Sequence, residues 1–290
     1  MPRLPDPVRR RGRSLTIQAG RGARRLTADR RVLPDALLIG AQKSGTTSLS
    51  RYLLDHPDVR GADTGEVHFF DDRFDDRFDR GERTYRRHFP LEAEIAWAAR
   101  SGPRPVVFEK SPKYLFHPRV PERVASMLPD AKLLVLLRDP VDRAISQHRM
   151  MVHGGREPAS LAEAIELEPA RIGPELELVA SGHAEMVDSM SAFYSYVARG
   201  RYAEQLDRWT RHFDRGQMLV LRAEDLYGDP HTTYPRVLRF LGLAPHEPEF
   251  KVWHRGRITD PVDPADRARL AELFAEPNRR LADEWGITWG

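Results

Sequence analysis

Short apolar runs alternate with amphipathic stretches along most of the chain after residue 34. Four runs of consecutive apolar residues predict buried strands, at residues 36–40, 106–108, 133–137 and 218–221. Apolar residues spaced three or four apart predict helices at residues 47–54, 185–213 and 232–241, and an Asp-Pro pair at residues 263–264 predicts the start of another. Strands that alternate with helices form parallel sheets covered on both faces. The pattern therefore predicts an α/β fold, a three-layer sandwich with a central parallel sheet.

The first 33 residues lack any sustained hydrophobic period and differ from the rest of the chain in charge. Residues 1–31 contain ten arginines and two aspartates, a net charge of +8, whereas the whole chain carries +3. The remaining residues are therefore acidic overall, and the high isoelectric point belongs to this segment. We predict a disordered basic leader at residues 1–33 and one domain at residues 34–290. An organelle transit peptide is the alternative interpretation of an arginine-rich, acid-poor start.

Composition excludes several classes of site. The chain has no cysteine, which rules out disulfides, a thiolate zinc site and a cysteine nucleophile. The longest apolar runs hold a handful of residues, far fewer than the ~20 that a membrane-spanning helix needs. A body without net positive charge gives no reason to expect a nucleic-acid partner. We therefore expect a cytoplasmic globular protein without a membrane span, and the sequence does not indicate its oligomeric state.

A loop rich in glycine and hydroxyl groups follows the first predicted strand and opens the first predicted helix. Small residues there let backbone N–H groups converge on an anion at the helix N-terminus, and Lys43 adds a full positive charge. The residue order differs from the Walker A loop, in which the lysine follows the second glycine. We interpret the loop as a phosphate site. Its candidate ligands are Gln42, Lys43, Ser44, Gly45, Thr46, Thr47 and Ser48.

A second candidate phosphate site follows the predicted strand at residues 133–137. Arg138 comes directly after that strand, where ligands bind in open α/β sheets. Ser146 lies eight residues further on, about two turns into the next helix. The pair can hold a phosphate away from the first loop. The alternative is a capped helix beside a surface arginine.

These two motifs resemble the phosphate-binding motifs of sulfotransferases that use 3′-phosphoadenosine 5′-phosphosulfate (PAPS). In that family the loop holds the 5′-phosphosulfate and the Arg…Ser pair holds the 3′-phosphate. The similarity covers residues 34–290 and is strongest to the heparan sulfate glucosaminyl 3-O-sulfotransferase and N-sulfotransferase branch; a bacterial, cytosolic member is expected. The other matching segments are Glu66-Val67-His68-Phe69-Phe70-Asp71, Glu109-Lys110-Ser111-Pro112-Lys113-Tyr114, Pro121-Glu122-Arg123-Val124, Tyr202…Trp209…His212-Phe213 and Glu276-Pro277-Asn278.

The resemblance implies a P-loop-NTPase-like sulfotransferase fold and a metal-free reaction. A sulfuryl group would pass in line from PAPS to a hydroxyl, or alternatively an amine, of a carbohydrate, glycosylated metabolite or other small acceptor, leaving PAP. Glu66 is expected to be the general base, with a pKa raised by the neighbouring Phe69 and Phe70. The other implied catalytic residues are Lys43 and Lys110 at the transferring group, and His68 and Asp71, which orient the acceptor and the base.

One stretch departs from the family pattern. Eukaryotic relatives have a disulfide-closed loop before a Lys-Gly-Arg segment on the 3′-phosphate side. This chain has no cysteine, its stretch is shorter, and arginine replaces the lysine. The positive charge remains, so Arg255, Gly256 and Arg257 are predicted to bind the cofactor. Trp253 has two interpretations, stacking on the adenine or a core or hinge role.

Two other functions compete with sulfuryl transfer. A P-loop nucleotide kinase would use ATP and Mg²⁺, but the displaced lysine argues against it. A non-catalytic binding module would act through the basic residues 1–31. The repeated Asp-Asp-Arg-Phe at residues 71–78 is expected to be a solvated loop, with a carboxylate metal site as the alternative.

Overall fold

Five parallel strands form one sheet at the centre of the molecule. The structure, a computed structural model, describes residues 23–71, 81–183, 190–251 and 261–289. The strands are β1 (Ala36–Gly40), β2 (Val59–Gly61), β3 (Val106–Lys110), β4 (Lys132–Leu137) and β5 (Met218–Arg222). Their order across the sheet is β2-β3-β1-β4-β5, and each neighbouring pair is parallel.

All four predicted strands are present, with ends within two residues of the prediction. The sequence does not predict β2, because this strand has only three residues and no apolar run. Arg60 and Gly61 follow Val59, and the three pair with Val106 to Phe108 of β3. The hydrogen bonds of the neighbouring strand, rather than its own composition, make this segment an edge strand.

Helices connect the strands and cover the sheet. In chain order they are α1 (Thr46–Asp55), α2 (Glu82–Arg86), α3 (Glu92–Ala98), α4 (Val120–Met127), α5 (Pro140–His153), α6 (Leu161–Ala180), α7 (Met190–Tyr194), α8 (Tyr202–Thr210), α9 (Ala223–Gly228), α10 (Pro230–Leu241) and α11 (Pro264–Trp285). Two predicted helix ends are confirmed. Gly242 caps α10 in the left-handed conformation, and the Asp263 carboxylate accepts from the Ala265 N–H at the start of α11.

Hydrophobic cores lie on both faces of the sheet, because successive residues of a strand point to opposite sides. Leu37 and Ile39 of β1 belong to one core, which α4, α8 and α11 cover. Ala36 and Leu38 of the same strand belong to the other core, which α1 and α10 cover. Burial on both faces explains the continuous apolar runs in the sequence. The predicted three-layer α/β fold with a parallel sheet is confirmed.

The strand order opens a crevice between β1 and β4. The chain leaves β1 through α1 toward β2, and it leaves β4 through α5 toward β5, on the opposite side of the sheet. Neighbouring connections that leave in opposite directions create a ligand crevice at the carboxyl edge of an α/β sheet. The candidate phosphate loop follows β1 and Arg138 follows β4, so both lie at this edge.

The predicted long helix over residues 185–213 is wrong. The described part of this range contains α7, a short 3₁₀ helix and α8, with non-helical residues between them. The Glu168 carboxylate of α6 accepts from the N–H groups of residues 196–198 at 2.7–2.9 Å. The Arg143 guanidinium of α5 donates to the Tyr196 carbonyl. These buried side chains replace the hydrogen bonds that a continuous helix would make.

Part of the predicted leader packs against the domain. Ala28 is buried, and the Arg31 guanidinium donates to the Phe89 carbonyl at 2.6 Å. Arg31 also forms an isolated antiparallel bridge with Leu91. The packed part of the chain therefore begins before residue 34, where the sequence places the domain boundary. Residues 1–22 of the leader lie outside the described residues.

Candidate active site

The loop after β1 turns directly into α1. Gly45 precedes the helix with a φ of 86°, a left-handed conformation that glycine adopts without strain. A Cβ atom at this position would clash with the Tyr227 hydroxyl oxygen. Glycine is therefore required for two reasons, the backbone conformation and the tyrosine that covers the loop.

The other polar residues of the loop are largely inside the protein. Ser44, Thr46 and Ser48 are buried, and Gln42 and Thr47 are half-buried. The Ser48 hydroxyl accepts a 3.3 Å hydrogen bond from Tyr227. Gln42 Oε1 is buried and has no hydrogen-bond partner among the described residues. Buried polar atoms without partners are rare, so Gln42 Oε1 marks a position where a further donor fits.

Lys43 brings a positive charge next to two others. Its Nζ atom lies 3.6 Å from the Met150 sulfur of α5. Burial lowers the pKa of Lys43, and the Arg138 and Arg143 guanidinium groups lower it further. No carboxylate of the described residues lies within 4 Å of this ammonium group. A lysine near two guanidinium groups, with no carboxylate of the described residues within 4 Å of it, is suited to a highly charged anion.

Arg138 and Ser146 lie where the sequence predicts them, and both are partly exposed. Arg138 follows β4 and pairs at 3.5 Å with Asp142, one turn further on, while Ser146 lies one more turn along α5. The sequence analysis missed Arg143, which is fully buried and donates a 2.7 Å hydrogen bond to Gln147. Arg143 lies between Arg138 and Ser146 in the sequence, and this position is the signal that could have identified it as a further positive charge near Lys43.

Four predicted catalytic residues form one cluster near the carboxyl end of β3. Glu66 Oε2 lies 2.9 Å from His68 Nε2, and Glu66 Oε1 lies 3.1 Å from Lys110 Nζ. The second ring nitrogen of His68, Nδ1, lies 2.7 Å from Asp71 Oδ2. The Glu66 side chain is 35% exposed, whereas the other three are 6–10% exposed. The Glu66 carboxylate is thus the most exposed member of the cluster, and the largely buried His68 and Lys110 side chains bond to its two oxygens.

Lys110 connects this cluster to the phosphate loop. It ends β3, which is hydrogen-bonded to β1, and it pairs in register with Leu38. The next residue, Ser111, donates its N–H to the Leu38 carbonyl at 3.1 Å. The candidate phosphate loop follows Gly40, the last residue of β1, at the same edge of the sheet. Glu66 and Lys110 therefore lie at the same edge of the sheet as the candidate phosphate loop.

The charges around Glu66 lower its pKa, which overturns the expectation from the sequence. Burial alone raises the pKa of Glu66, but the His68 hydrogen bond and the Lys110 charge outweigh it. Phe69 and Phe70 do not surround the carboxylate, because both rings are buried in the core. Burial lowers the pKa of His68, but the hydrogen bonds to its two carboxylate neighbours raise it to about 9. At neutral pH the pair is therefore a carboxylate and an imidazolium.

Several predicted residues lie outside the described part of the chain. They are Arg255, Gly256, Arg257, Trp253 and residues 72–78 of the acidic repeat. Within the described ranges no three His, Asp or Glu side chains are grouped to hold a metal ion. None of the helices described is both long enough and apolar enough to cross a membrane.

Comparison with known proteins matches residues 34–248 to the sulfotransferase family. The solved structure of a sulfotransferase from Alicyclobacillus acidocaldarius is 30% identical, has a TM-score of 0.65, and covers 89% of this chain and 98% of its own. Mouse heparan sulfate glucosamine 3-O-sulfotransferase 6 is 33% identical over 238 residues, 81% of this chain and 58% of that protein. Mouse bifunctional heparan sulfate N-deacetylase/N-sulfotransferase 4 is 28% identical over 278 residues, 86% of this chain and 30% of that protein.

The chain spans 58% and 30% of the lengths of these two mouse relatives, so the match concerns only part of each. Against the Alicyclobacillus acidocaldarius structure it extends over nearly the whole protein. The family match takes in both candidate phosphate sites and the cluster around Glu66, and it covers well over half of the chain. The chain therefore belongs to the sulfotransferase family.

Proposed function

We propose that this protein transfers a sulfuryl group from PAPS to a hydroxyl, or alternatively an amine, of a carbohydrate, glycosylated metabolite or other small acceptor, with Glu66 as the general base. The observation that carries the proposal is the position of Glu66, the most exposed member of a charged cluster beside a group of cations suited to phosphates. Membership of the family supports the reaction class. The heparan sulfate named in the mouse relatives supports a carbohydrate acceptor.

Glu66 has the charge and the setting to deprotonate an acceptor. Its lowered pKa keeps it ionised at neutral pH, so that a carboxylate oxygen takes the hydroxyl proton as the acceptor oxygen bonds to sulfur. The His68 imidazolium and the Lys110 ammonium each hold one of its two oxygens. A base that is already aligned loses little entropy in reaching the transition state.

Lys43 and Lys110 are the cations proposed to meet the charge of the departing phosphate. As the sulfur–oxygen bond to the 5′-phosphate breaks, its electron pair stays on the phosphate oxygen. A fixed cation in a partly buried site stabilises such developing charge more than water does. Lys43 has no carboxylate within 4 Å in the described chain, which leaves its charge available to that oxygen.

The residues present fit a donor with phosphates at two separate positions. We assign the 5′ side to Lys43 and the N–H groups of the loop at the start of α1. The 3′-phosphate is assigned to Arg138 and Ser146, with Arg255, Gly256 and Arg257 as further predicted ligands. The left-handed Gly45, which lets the backbone turn directly into α1, supports a ligand that lies against the loop.

Replacement of Glu66 tests the base. Glu66→Gln keeps the shape and removes the proton acceptor, so kcat is expected to fall about 10²–10⁴-fold with PAP affinity unchanged. Lys43→Ala is expected to lower both kcat and PAP affinity, because this lysine acts in the ground state and in the transition state. Glu166→Gln, at an exposed carboxylate paired with Arg269, is the control and is expected to retain both. Near-normal turnover by Glu66→Gln would assign the base to another residue.

Thermal unfolding with added ligand tests the donor. PAP at about a hundred times its dissociation constant is expected to add about 2.7 kcal/mol to the free energy of unfolding. ATP lacks the 3′-phosphate assigned to Arg138 and Ser146 and is expected to add much less. EDTA is expected to leave turnover intact, because cationic side chains balance the donor charge. Equal stabilisation by ATP and PAP, or turnover that requires Mg²⁺, would support a P-loop nucleotide kinase instead.

A further inference from the structure

A buried carboxylate, Glu109, lies directly behind the Glu66 segment and has no role in the reaction described above. Glu109 is 1% exposed. It accepts hydrogen bonds from the hydroxyl groups of Ser111 at 2.7 Å, of Tyr114 at 2.8 Å, and of Tyr85. Burial raises the pKa of Glu109 even though these hydroxyl groups act in the opposite direction. A carboxyl group is costly to bury even when it is hydrogen-bonded. The presence of Glu109 at this buried position therefore needs a physical explanation.

Two of the three hydroxyl groups also contact the backbone of the Glu66 segment. The Ser111 hydroxyl accepts from the His68 N–H at 3.1 Å, and the Tyr114 hydroxyl accepts from the Phe69 N–H at 2.9 Å. A hydroxyl has one hydrogen to donate, and a backbone N–H can only donate. Because Glu109 accepts the hydrogen of each hydroxyl, their lone pairs face the N–H groups. The carboxylate therefore sets the direction of each of these hydrogen bonds.

His68 needs such support because its backbone is strained. Its φ is 52°, in the left-handed region that costs a residue with a Cβ atom about 1–2 kcal/mol. In this conformation its two ring nitrogens reach Glu66 and Asp71. Strained residues persist where the surrounding contacts leave them no alternative. The Ser111 hydroxyl bonds to the N–H of the strained residue itself.

We propose that Glu109, Ser111 and Tyr114 are positioning residues, which hold the N–H groups of His68 and Phe69 so that Glu66 faces the acceptor. The inference rests on the proposed role of Glu66 as the base. All three positioning residues are buried, so they touch neither donor nor acceptor. Their influence reaches kcat through the placement of Glu66 and leaves the affinity for PAP unchanged.

Tyr85 provides a matched control in the same network. It donates to Glu109 as Tyr114 does and is equally buried, but in the described structure its hydroxyl contacts no N–H of residues 66–71. Its ring stacks on Phe69 with centroids 4.6 Å apart, a contact that phenylalanine keeps. Tyr85→Phe and Tyr114→Phe each remove one hydroxyl from Glu109. Only Tyr114→Phe also removes the hydroxyl that accepts a hydrogen bond from the Phe69 N–H.

The experiment compares Tyr114→Phe and Ser111→Ala with Tyr85→Phe by kcat, PAP affinity and the midpoint of thermal unfolding. All three variants are expected to unfold at a lower temperature. Tyr114→Phe and Ser111→Ala are expected to lower kcat about 10–10²-fold, as a misplacement of ~1 Å does, with PAP affinity unchanged. Tyr85→Phe is expected to keep kcat near that of the wild type.

Two further measurements respond to the position of residues 66–71 and not only to the stability of the fold. In Tyr114→Phe and Ser111→Ala the acid limb of the kcat profile is expected to move to higher pH, because a looser His68 contact lets the pKa of Glu66 rise. Amide hydrogen exchange in residues 66–71 is expected to accelerate in the same two variants. Tyr85→Phe is expected to change neither quantity.

Equal losses of kcat in Tyr85→Phe and Tyr114→Phe would overturn the proposal, and so would unchanged kcat in both Tyr114→Phe and Ser111→Ala. Ser111→Ala removes the smaller contact and keeps the test decisive if Tyr114→Phe fails to fold. Failure of the proposed base is distinguishable. It would appear as normal turnover in Glu66→Gln, while the exchange contrast between Tyr114→Phe and Tyr85→Phe would persist.

Discussion

At the scale of single residues, the surroundings act in opposite directions on the charges of Lys43 and Glu66. Burial and two neighbouring guanidinium groups disfavour the charged form of Lys43, an unfavourable arrangement that a bound anion offsets. Glu66 is the converse case, since His68 and Lys110 stabilise its charged form. This carboxylate is therefore a weak base with a fixed orientation. Its contribution to catalysis comes from placement rather than from a raised pKa.

The histidine beside the base predicts a dependence of stability on pH. Burial lowers the pKa of His68, but its carboxylate partners raise it from 6.5 to about 9. A raised folded-state pKa stabilises the fold fully below about pH 6.5, and the contribution is lost as pH rises through about 9. The wild type is therefore expected to exceed His68→Gln in free energy of unfolding at pH 6, and most of this excess should vanish by pH 9.5. Denaturant titrations at several pH values measure the difference, and a constant gap would contradict the assignment.

At the scale of elements, the corner between β1 and α1 is the part whose backbone the site depends on most directly. The strand must end beneath the crevice, and the helix must begin at once if its first N–H groups are to face a ligand. Gly45 makes the corner possible with its φ of 86°. Tyr227 of α9 closes the corner from the other side through its bond to Ser48. Three elements thus determine the shape of one loop.

A pair of glycine variants tests this corner. Gly45→Ala adds a left-handed alanine and a clash with the Tyr227 hydroxyl, so a loss of about 2–5 kcal/mol in the free energy of unfolding is expected. Gly242→Ala has a similar φ of 77° but open space around the new methyl group, and is expected to cost about 1–2 kcal/mol. PAP binding should be lost only in Gly45→Ala. Denaturant unfolding and PAP titration of both variants supply the comparison, and equal effects would argue against a special role for the corner.

At the scale of the whole molecule, the strand order brings together residues that are far apart in the chain. Two adjacent strands whose connections leave in opposite directions place Lys43 and Arg138 at one crevice. The segment before β1 also packs near this region. Arg24 pairs at 3.4 Å with Asp63, which lies three residues before Glu66. The end of the basic leader thus contacts the loop that carries the proposed base.

Two truncations separate the leader from the packed segment. Deletion of residues 1–22 is expected to leave kcat and the midpoint of thermal unfolding unchanged. Deletion of residues 1–33 also removes the buried Ala28 and the Arg31 hydrogen bond to Phe89, worth about 1.5–3 kcal/mol, and is expected to lower the midpoint by several degrees. The retention of the two truncated proteins on a heparin column provides a second comparison between them. If deletion of residues 1–22 abolished all function while the fold survived, the leader would be the functional module.

The sequence by itself determined the α/β class of the fold, four of the five strands and the residue types of the candidate phosphate loop. Continuous apolar runs mark four of the five strands, since a strand buried on both faces needs no polar positions. Gly45, Lys43 and Arg138 are recognisable because a phosphate loop and a strand end demand particular residue types at particular spacings. These features are local, so the chain order contains the information that specifies them.

Only the tertiary structure decided the features that depend on residues distant in the chain. β2 exists because β3 offers it hydrogen bonds, and the predicted helix over residues 185–213 is interrupted because Glu168 binds the N–H groups of residues 196–198. The pKa of Glu66 falls because of the His68 hydrogen bond and, beside it, the charge of Lys110, which is 44 positions away in the chain but 3.1 Å away in space. Electrostatic and hydrogen-bonding energies depend on distance in space, which sequence spacing does not report.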